Sequence, residues 1–156
     1  MAVRFSDLLD PTRIELNVRS GRRTAALSQV AGQLESHPAM RNYRGFYQEL
    51  LARERVDSTC LGNEVALPHA RTDNVETTIA AVGRHDSGVY FERAGQNVRL
   101  MFVLATPKHS ASDYLQVVSA LCRLLKSPRN REALLTAATP DAFVAAVRAA
   151  EDAAGA

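Results

Sequence analysis

The residues whose types and spacing could do chemistry concentrate between Arg53 and Thr72. An apolar run, Val65-Ala66-Leu67, ends in Pro68, and the next residue is His69. Proline fixes φ and lacks an N–H, so it stops a central ladder strand and delivers His69 at a strand end. Small Ala70 leaves that imidazole little steric cover, and Arg71 and Thr72 follow as two phosphate-compatible side chains. A neutral imidazole can act as nucleophile or general base near neutral pH. A single histidine in a soluble domain is more often a surface residue or a satisfied core residue, so spacing alone leaves both readings open.

The run Leu61-Gly62-Asn63-Glu64-Val65-Ala66-Leu67-Pro68-His69-Ala70 resembles the active-site signature of the type 2 IIA domains of the bacterial sugar phosphotransferase system, the fructose/mannitol and nitrogen-regulatory class. The likeness extends over almost the whole chain. Arg53-Glu54, Ser58-Thr59, Gly88 to Phe91, Val98 to Leu104 and Tyr114 to Ser119 fall in family order and at about family spacing. The resemblance implies that His69 carries a phosphoryl group and that Arg53 approaches it. It also implies an HPr-type phosphocarrier as donor, a IIB cysteine or a regulatory target protein as the next partner, and no cofactor or metal.

Phosphoryl transfer between histidines asks for a neutral imidazole nitrogen in line with the donor phosphorus and for stabilisation of the travelling charge. A phosphohistidine carries close to two negative charges, so each charge-assisted hydrogen bond to it is worth roughly 1.5–3 kcal/mol. Arg53, Ser58 and Thr59 are the candidate donors. Arg53 also sits in the last turn of an expected helix, where a cation compensates the exposed carbonyls, and that reading stands beside the first. Arg71 either contributes charge or is solvated. Asn63 either shapes the loop after Gly62 or donates to the site.

The chain departs from the family where many members carry a second histidine beside the phosphorylated one, because Tyr114 stands there. A phenol donates a hydrogen bond but neither shares nor takes up a proton near neutrality, which puts onward transfer in question. His109, in the preceding loop, either replaces part of that imidazole's role or faces solvent. Cys60 stands where relatives usually have glycine, a change that stiffens the loop or lends it redox sensitivity. His37 and His85 have no motif context and are assigned to the surface.

With 156 residues, 46% of them apolar, the chain has the length to bury one ordinary core, and residues 1–156 are read as a single domain with its core at about 5–150. Nineteen basic and seventeen acidic residues leave a net charge of +2, with no basic run interleaved with aromatics, so nucleic acid is not implied. The start of the chain lacks an apolar leader and no stretch is long enough to span a bilayer, which predicts a cytoplasmic protein without membrane insertion. Cys60 and Cys122 lie far apart without ligand spacing, suggesting neither a disulfide nor a zinc site.

The elements that must position His69 follow from hydrophobic period. Phe5 to Leu9 reads as a short helical turn and Ile14 to Val18 as a strand. Helices are expected over 23–35 and 39–55, the second burying Tyr43, Phe46, Tyr47, Leu50 and Leu51. Strands are expected at 77–83 and 98–105, the latter covered on both faces, with turns at Asp86-Ser87-Gly88 and 94–97 around a short strand at 89–91. Ser112 is the expected N-cap of a helix through Lys126 with Leu115, Val118, Leu121, Cys122 and Leu125 inward. Further helices are expected over 129–137 and from Pro140 to about Glu151, followed by a fraying tail. The result is an α/β fold, a central mixed β-sheet flanked by helices on both sides.

Three functions fit these readings. Two of them are phosphoryl-carrier components that accept phosphate on His69. A nitrogen-regulatory IIA-like protein is favoured because the chain shows no fused IIB or IIC segment and no sugar-specific part, and because Tyr114 weakens the case for relay. A sugar-specific IIA passing phosphate to a IIB cysteine is the alternative. A degenerate binding module that has lost transfer is the third, and His69 argues against it.

Overall fold

The nearly unbroken apolar run from Val98 to Ala105 becomes the centre of the fold. In the computed structural model, which describes residues 4–155, it lies within β6 (Gln96–Pro107), and every residue from Leu100 to Pro107 is buried. Alternation along this strand sends Leu100, Phe102 and Leu104 into one core and Met101, Val103 and Ala105 into a second on the other face. The long strand β5 (Ile79–Phe91) pairs antiparallel with one edge of β6, and β1 (Ile14–Glu15) pairs parallel with β5. On the other edge, β3 (Val65–Ala66) and β4 (His69–Thr72) both run parallel to β6, and β2 (Cys60–Gly62) pairs antiparallel with β3. The sheet is mixed, as the sequence predicts.

Helices cover both faces. The first core contains Phe5, Phe102, Val117, Leu121, Leu134 and Phe143, bringing α3 (Ala111–Leu125), α4 (Pro128–Thr136) and α5 (Pro140–Gly155) against the sheet. The second contains Leu27, Val30, Phe46 and Leu50 from α1 (Arg23–Gly32) and α2 (Tyr43–Val56). Burying each of these large side chains contributes about 1.5–3 kcal/mol of transfer free energy. Gly83 lets α1 approach the sheet, since a Cβ there would stand 2.2 Å from a Val30 methyl.

Several boundaries differ from the sequence reading, each for a local reason. The strand at 14–18 narrows to Ile14–Glu15, although the Val18 amide still donates to the Arg84 carbonyl at 3.0 Å. Helix α1 stops at Gly32, not Glu35, and the last turn tightens through bonds such as Leu34 N to Ala31 O. Helix α2 starts at Tyr43, not Ala39, because Asn42 caps it through Gly45 N while Met40 bridges to Val75. The two strands expected around Asp86-Ser87-Gly88 are one strand, β5, with a register shift between Arg84 and Val89. His85 Nδ1 accepts from the amides of Ser87 and Gly88 there, and Gly88 takes φ of 100°, so the turn chemistry becomes a bulge.

The inward face of α3 is also rotated from expectation. Ser110, not Ser112, precedes its first turn, and Val117, Leu121, Leu124 and Leu125 form the buried stripe. Leu115 is 63% exposed. Ser127 and Thr139 cap α4 and α5 through Asn130 N and Ala142 N, each ahead of a proline at the first helical position. Helix α5 continues to Gly155, past the expected end near Glu151. The readings made on Met1 to Val3 and on Ala156 lie outside the described residues.

Candidate active site

Pro68 interrupts the strand beside β6 without ending it. Leu104 N donates to the Pro68 carbonyl at 3.0 Å, so pairing with β6 resumes at once and His69 is the first residue of β4. The expectation that His69 stands at a strand end is corrected to this: it opens a strand that lies in line with β3. It is half-buried, and both of its ring nitrogens are engaged. Nδ1 lies 2.7 Å from the Leu67 carbonyl oxygen, which can only accept, so this nitrogen carries the proton of the neutral ring. Nε2 is then the lone-pair nitrogen, and the Tyr114 hydroxyl, 2.7 Å away, donates to it. The two rings are 5.3 Å apart between centroids and inclined by 38°.

Burial is the largest influence on this histidine and pushes its pKa below the ordinary value. The Leu67 carbonyl works in the opposite direction, the Arg53 guanidinium adds to the lowering, and Glu54 opposes it. The net effect is downward, which favours the neutral, nucleophilic ring at physiological pH.

His69 and Tyr114 open into a depression of about 440 Å³ that Arg53, Arg71, Lys108 and Glu49 also line. Three cations face one carboxylate there. That carboxylate is occupied, since Glu49 Oε1 accepts from Thr72 Oγ1 and Asn74 Nδ2, each at 2.6 Å. Arg71 donates to the Lys108 carbonyl at 2.8 Å, and Lys108 Nζ stands 3.7 Å from Asp73. Arg53 Nη1 is buried and has no hydrogen-bond partner among the described residues. A larger depression, about 680 Å³, shares no residue with this one and is lined by Arg4, Arg123, Glu151 and Asp152, with Arg4 paired to Asp152 at 2.7 Å.

The sequence candidates therefore divide. His69, Arg53, Tyr114 and Arg71 come together around one depression. Thr59 is buried and donates its hydroxyl to Glu54 Oε1 at 2.5 Å, and Ser58 Oγ accepts from the Cys60 amide at 3.2 Å. Ser58 lines a separate small hollow with Arg23, Glu54 and Arg93. Asn63 is exposed in the β2–β3 turn with φ of 55°, followed by Glu64 at 66°. His109 is exposed in the β6–α3 connection. None of these four lines the depression.

Lys108, Glu49 and the Leu67 carbonyl were not singled out from sequence. The parallel register of Thr72 with Pro107 is what brings Lys108 to the mouth, and that pairing has no local signature. The Leu67 carbonyl carried a usable signal, because a proline between it and the histidine holds the two close. Among the described residues no group of three or more His, Cys, Asp or Glu could hold a metal ion, and no helix is long and apolar enough to cross a membrane.

A family model described as "Phosphoenolpyruvate-dependent sugar phosphotransferase system, EIIA 2" matches residues 7–150. The nitrogen regulatory protein of Pseudomonas aeruginosa is 30% identical over 142 residues, 90% of this chain and 92% of that protein. The fructose-specific EIIABC component of Bacillus subtilis is 29% identical over 91% of this chain, which spans 22% of that longer protein. The crystal structure of the nitrogen regulatory protein IIA-Ntr of Neisseria meningitidis superposes with a TM-score of 0.83 at 27% identity, over 91% of this chain and 97% of that one. With its motif, mixed sheet and matched span in agreement, the chain belongs to the type 2 EIIA family of phosphoryl carriers of the phosphotransferase system.

Proposed function

We propose that His69 accepts a phosphoryl group on Nε2 from an HPr-type phosphocarrier, and that the protein acts as a nitrogen-regulatory IIA-like carrier. The observation that carries this reading is the bond between His69 Nδ1 and the Leu67 carbonyl, which fixes the proton on one nitrogen and leaves the other as the nucleophile. As Nε2 bonds to phosphorus, the donor's phosphorus–nitrogen bond breaks and its electron pair returns to the donor imidazole. The Nδ1 proton stays in place, and the carbonyl that accepts it stabilises the positive charge that develops on the ring.

The arriving group brings close to two negative charges. Arg53 lines the His69 depression and its Nη1 has no partner among the described residues, which together support a direct role in holding it, because a buried guanidinium donor left without an acceptor is costly unless a ligand supplies one. Arg71 and Lys108 add positive potential at the mouth. Exposed Leu115, next to Tyr114, supports a small mixed docking surface for a transient protein partner.

The similarity over nearly the full length of the Pseudomonas nitrogen regulatory protein supports the regulatory branch. The fructose-specific Bacillus relative is almost as similar, so transfer to a IIB cysteine is the second reading. Incubation with Enzyme I, an HPr-type carrier and phosphoenolpyruvate tests the shared step. The expected result is one acid-labile phosphate on His69, absent in His69→Ala; unlabelled wild type with every such carrier refutes it. Chasing the phosphoprotein with IIB domains then separates the branches, since rapid loss to a IIB cysteine selects the sugar-specific reading.

A further inference from the structure

The lone pair that must attack phosphorus is occupied. Tyr114 Oη donates to His69 Nε2 at 2.7 Å, in the position an incoming phosphorus needs. Resting on the reading that Nε2 is the acceptor, we propose that Tyr114 sets the phosphorylation lifetime of this protein. Its hydroxyl caps Nε2 in the unphosphorylated state, yields to the phosphoryl group, and then donates the same proton to a phosphoryl oxygen.

The support of Tyr114 allows a side-chain movement with a fixed backbone. Tyr114 lies in the first turn of α3, and its amide donates to the Ser110 carbonyl at 3.2 Å. The Ser110 amide is in turn held by the Pro107 carbonyl at 3.0 Å, and Arg71 holds the Lys108 carbonyl at 2.8 Å. His69 and Arg71 are two residues apart on β4, so one face of one strand grips both the phenol and the connection that carries it. The approximately 440 Å³ depression that Tyr114 borders gives the ring room to rotate.

No proton changes owner in this exchange. The hydroxyl keeps its proton and only its acceptor changes, from Nε2 to a phosphoryl oxygen. Uncapping costs one net hydrogen bond before attack, which slows uptake. A loose, metaphosphate-like transition state leaves less negative charge on the phosphoryl oxygens than the resting phosphohistidine carries, so the new bond is weaker there. The phosphoryl group is accepted more slowly and kept longer, behaviour suited to a signal that persists.

Tyr114→Phe removes the hydroxyl and keeps the ring. The full chain and this variant are phosphorylated with a purified phosphorylated HPr-type carrier, and uptake and hydrolysis are followed by intact mass while ¹⁵N spectra report His69. The expected result is uptake faster by roughly threefold to tenfold and a lifetime shorter by roughly tenfold. The Nε2 resonance moves toward that of an unbonded lone pair while Nδ1 stays in place. Unchanged or slower uptake, or an unchanged or longer lifetime, overturns the proposal. If neither protein takes phosphate, the acceptor reading fails and the cap falls with it, an outcome distinct from phosphorylation with unaltered kinetics. Should the phenylalanine chain fail to fold, Tyr114→His carries the test, with a shorter lifetime that varies with pH through the histidine range. A lifetime equal to or longer than wild type at each pH in that range overturns it.

Discussion

The Leu67 carbonyl oxygen and His69 Nδ1 face each other at 2.7 Å across a single intervening proline. This contact assigns the two ring nitrogens different jobs before any partner arrives, because an amide carbonyl accepts and cannot donate. In ¹⁵N-labelled protein at neutral pH, Nδ1 is expected to be the protonated nitrogen and Nε2 the unprotonated one. After phosphorylation the phosphorus is expected to couple to Nε2. Coupling to Nδ1 would mean that the Leu67 bond does not direct the chemistry.

The lowered pKa of His69 predicts an acid limb displaced from the usual histidine range. Only the neutral ring can attack, so the uptake rate should stay level as pH falls through about 6.5 and decline only below it. The same shift contributes to stability with a definite sign. Between the depressed folded pKa and the ordinary unfolded value the unfolded chain binds more protons, so unfolding free energy rises with pH across that window. The contribution is present above the unfolded value and is lost as pH falls through the folded one. His37, whose pKa is also lowered, chiefly by burial, contributes in the same direction. His69→Ala should flatten part of this slope in urea titrations repeated at several pH values, and an unchanged slope would remove His69 from the linkage.

Arg53 Nη1 is buried with no partner among the described residues, beside the histidine that we propose receives a near-dianionic group. Arg53→Ala should shift the phosphoryl equilibrium with a phosphorylated carrier away from this chain by roughly tenfold to hundredfold, the equivalent of one charge-assisted bond of about 1.5–3 kcal/mol. Arg53→Lys should recover part of the loss, because it keeps the charge but not the planar fork. An alanine variant with a wild-type equilibrium would leave Arg53 with only its helix-terminal role.

The parts of this molecule that were legible in the sequence are those governed by local period and local chemistry. Ala26, Leu27, Val30, Ala31 and Leu34 are spaced as one helix face and all five are buried, and the apolar run within β6 is covered on both sides as its composition predicts. The three side chains at the centre of the proposed site, His69, Arg53 and Tyr114, come together across long sequence separations, and only the family resemblance pointed to their meeting. Periodicity failed at Leu115, where the buried face of α3 is turned by about one residue toward Tyr114 and Val117. It failed again at Asp86 to Gly88, where turn residues were absorbed into a strand because pairing with β6 continues on both sides of the bulge. Both outcomes depend on which neighbour an element meets, and that is tertiary information.

Thr59 supplies the last test, because its hydroxyl can serve only the partner it faces. It donates to the buried Glu54 carboxylate at 2.5 Å, with Glu54 4% and Thr59 6% exposed. A buried carboxylate stripped of a donor bears the desolvation cost of that loss, so Thr59→Val should destabilise the fold by roughly 1–3 kcal/mol in urea unfolding. Glu54→Gln combined with Thr59→Val should cost less than the sum of the two single changes, as expected for residues that share one bond. If the Thr59 hydroxyl instead served the phosphoryl group, Thr59→Val would lower the phosphorylation level and leave stability near wild type. Measuring both quantities on one variant distinguishes a structural partner of Glu54 from a ligand of the phosphoryl group.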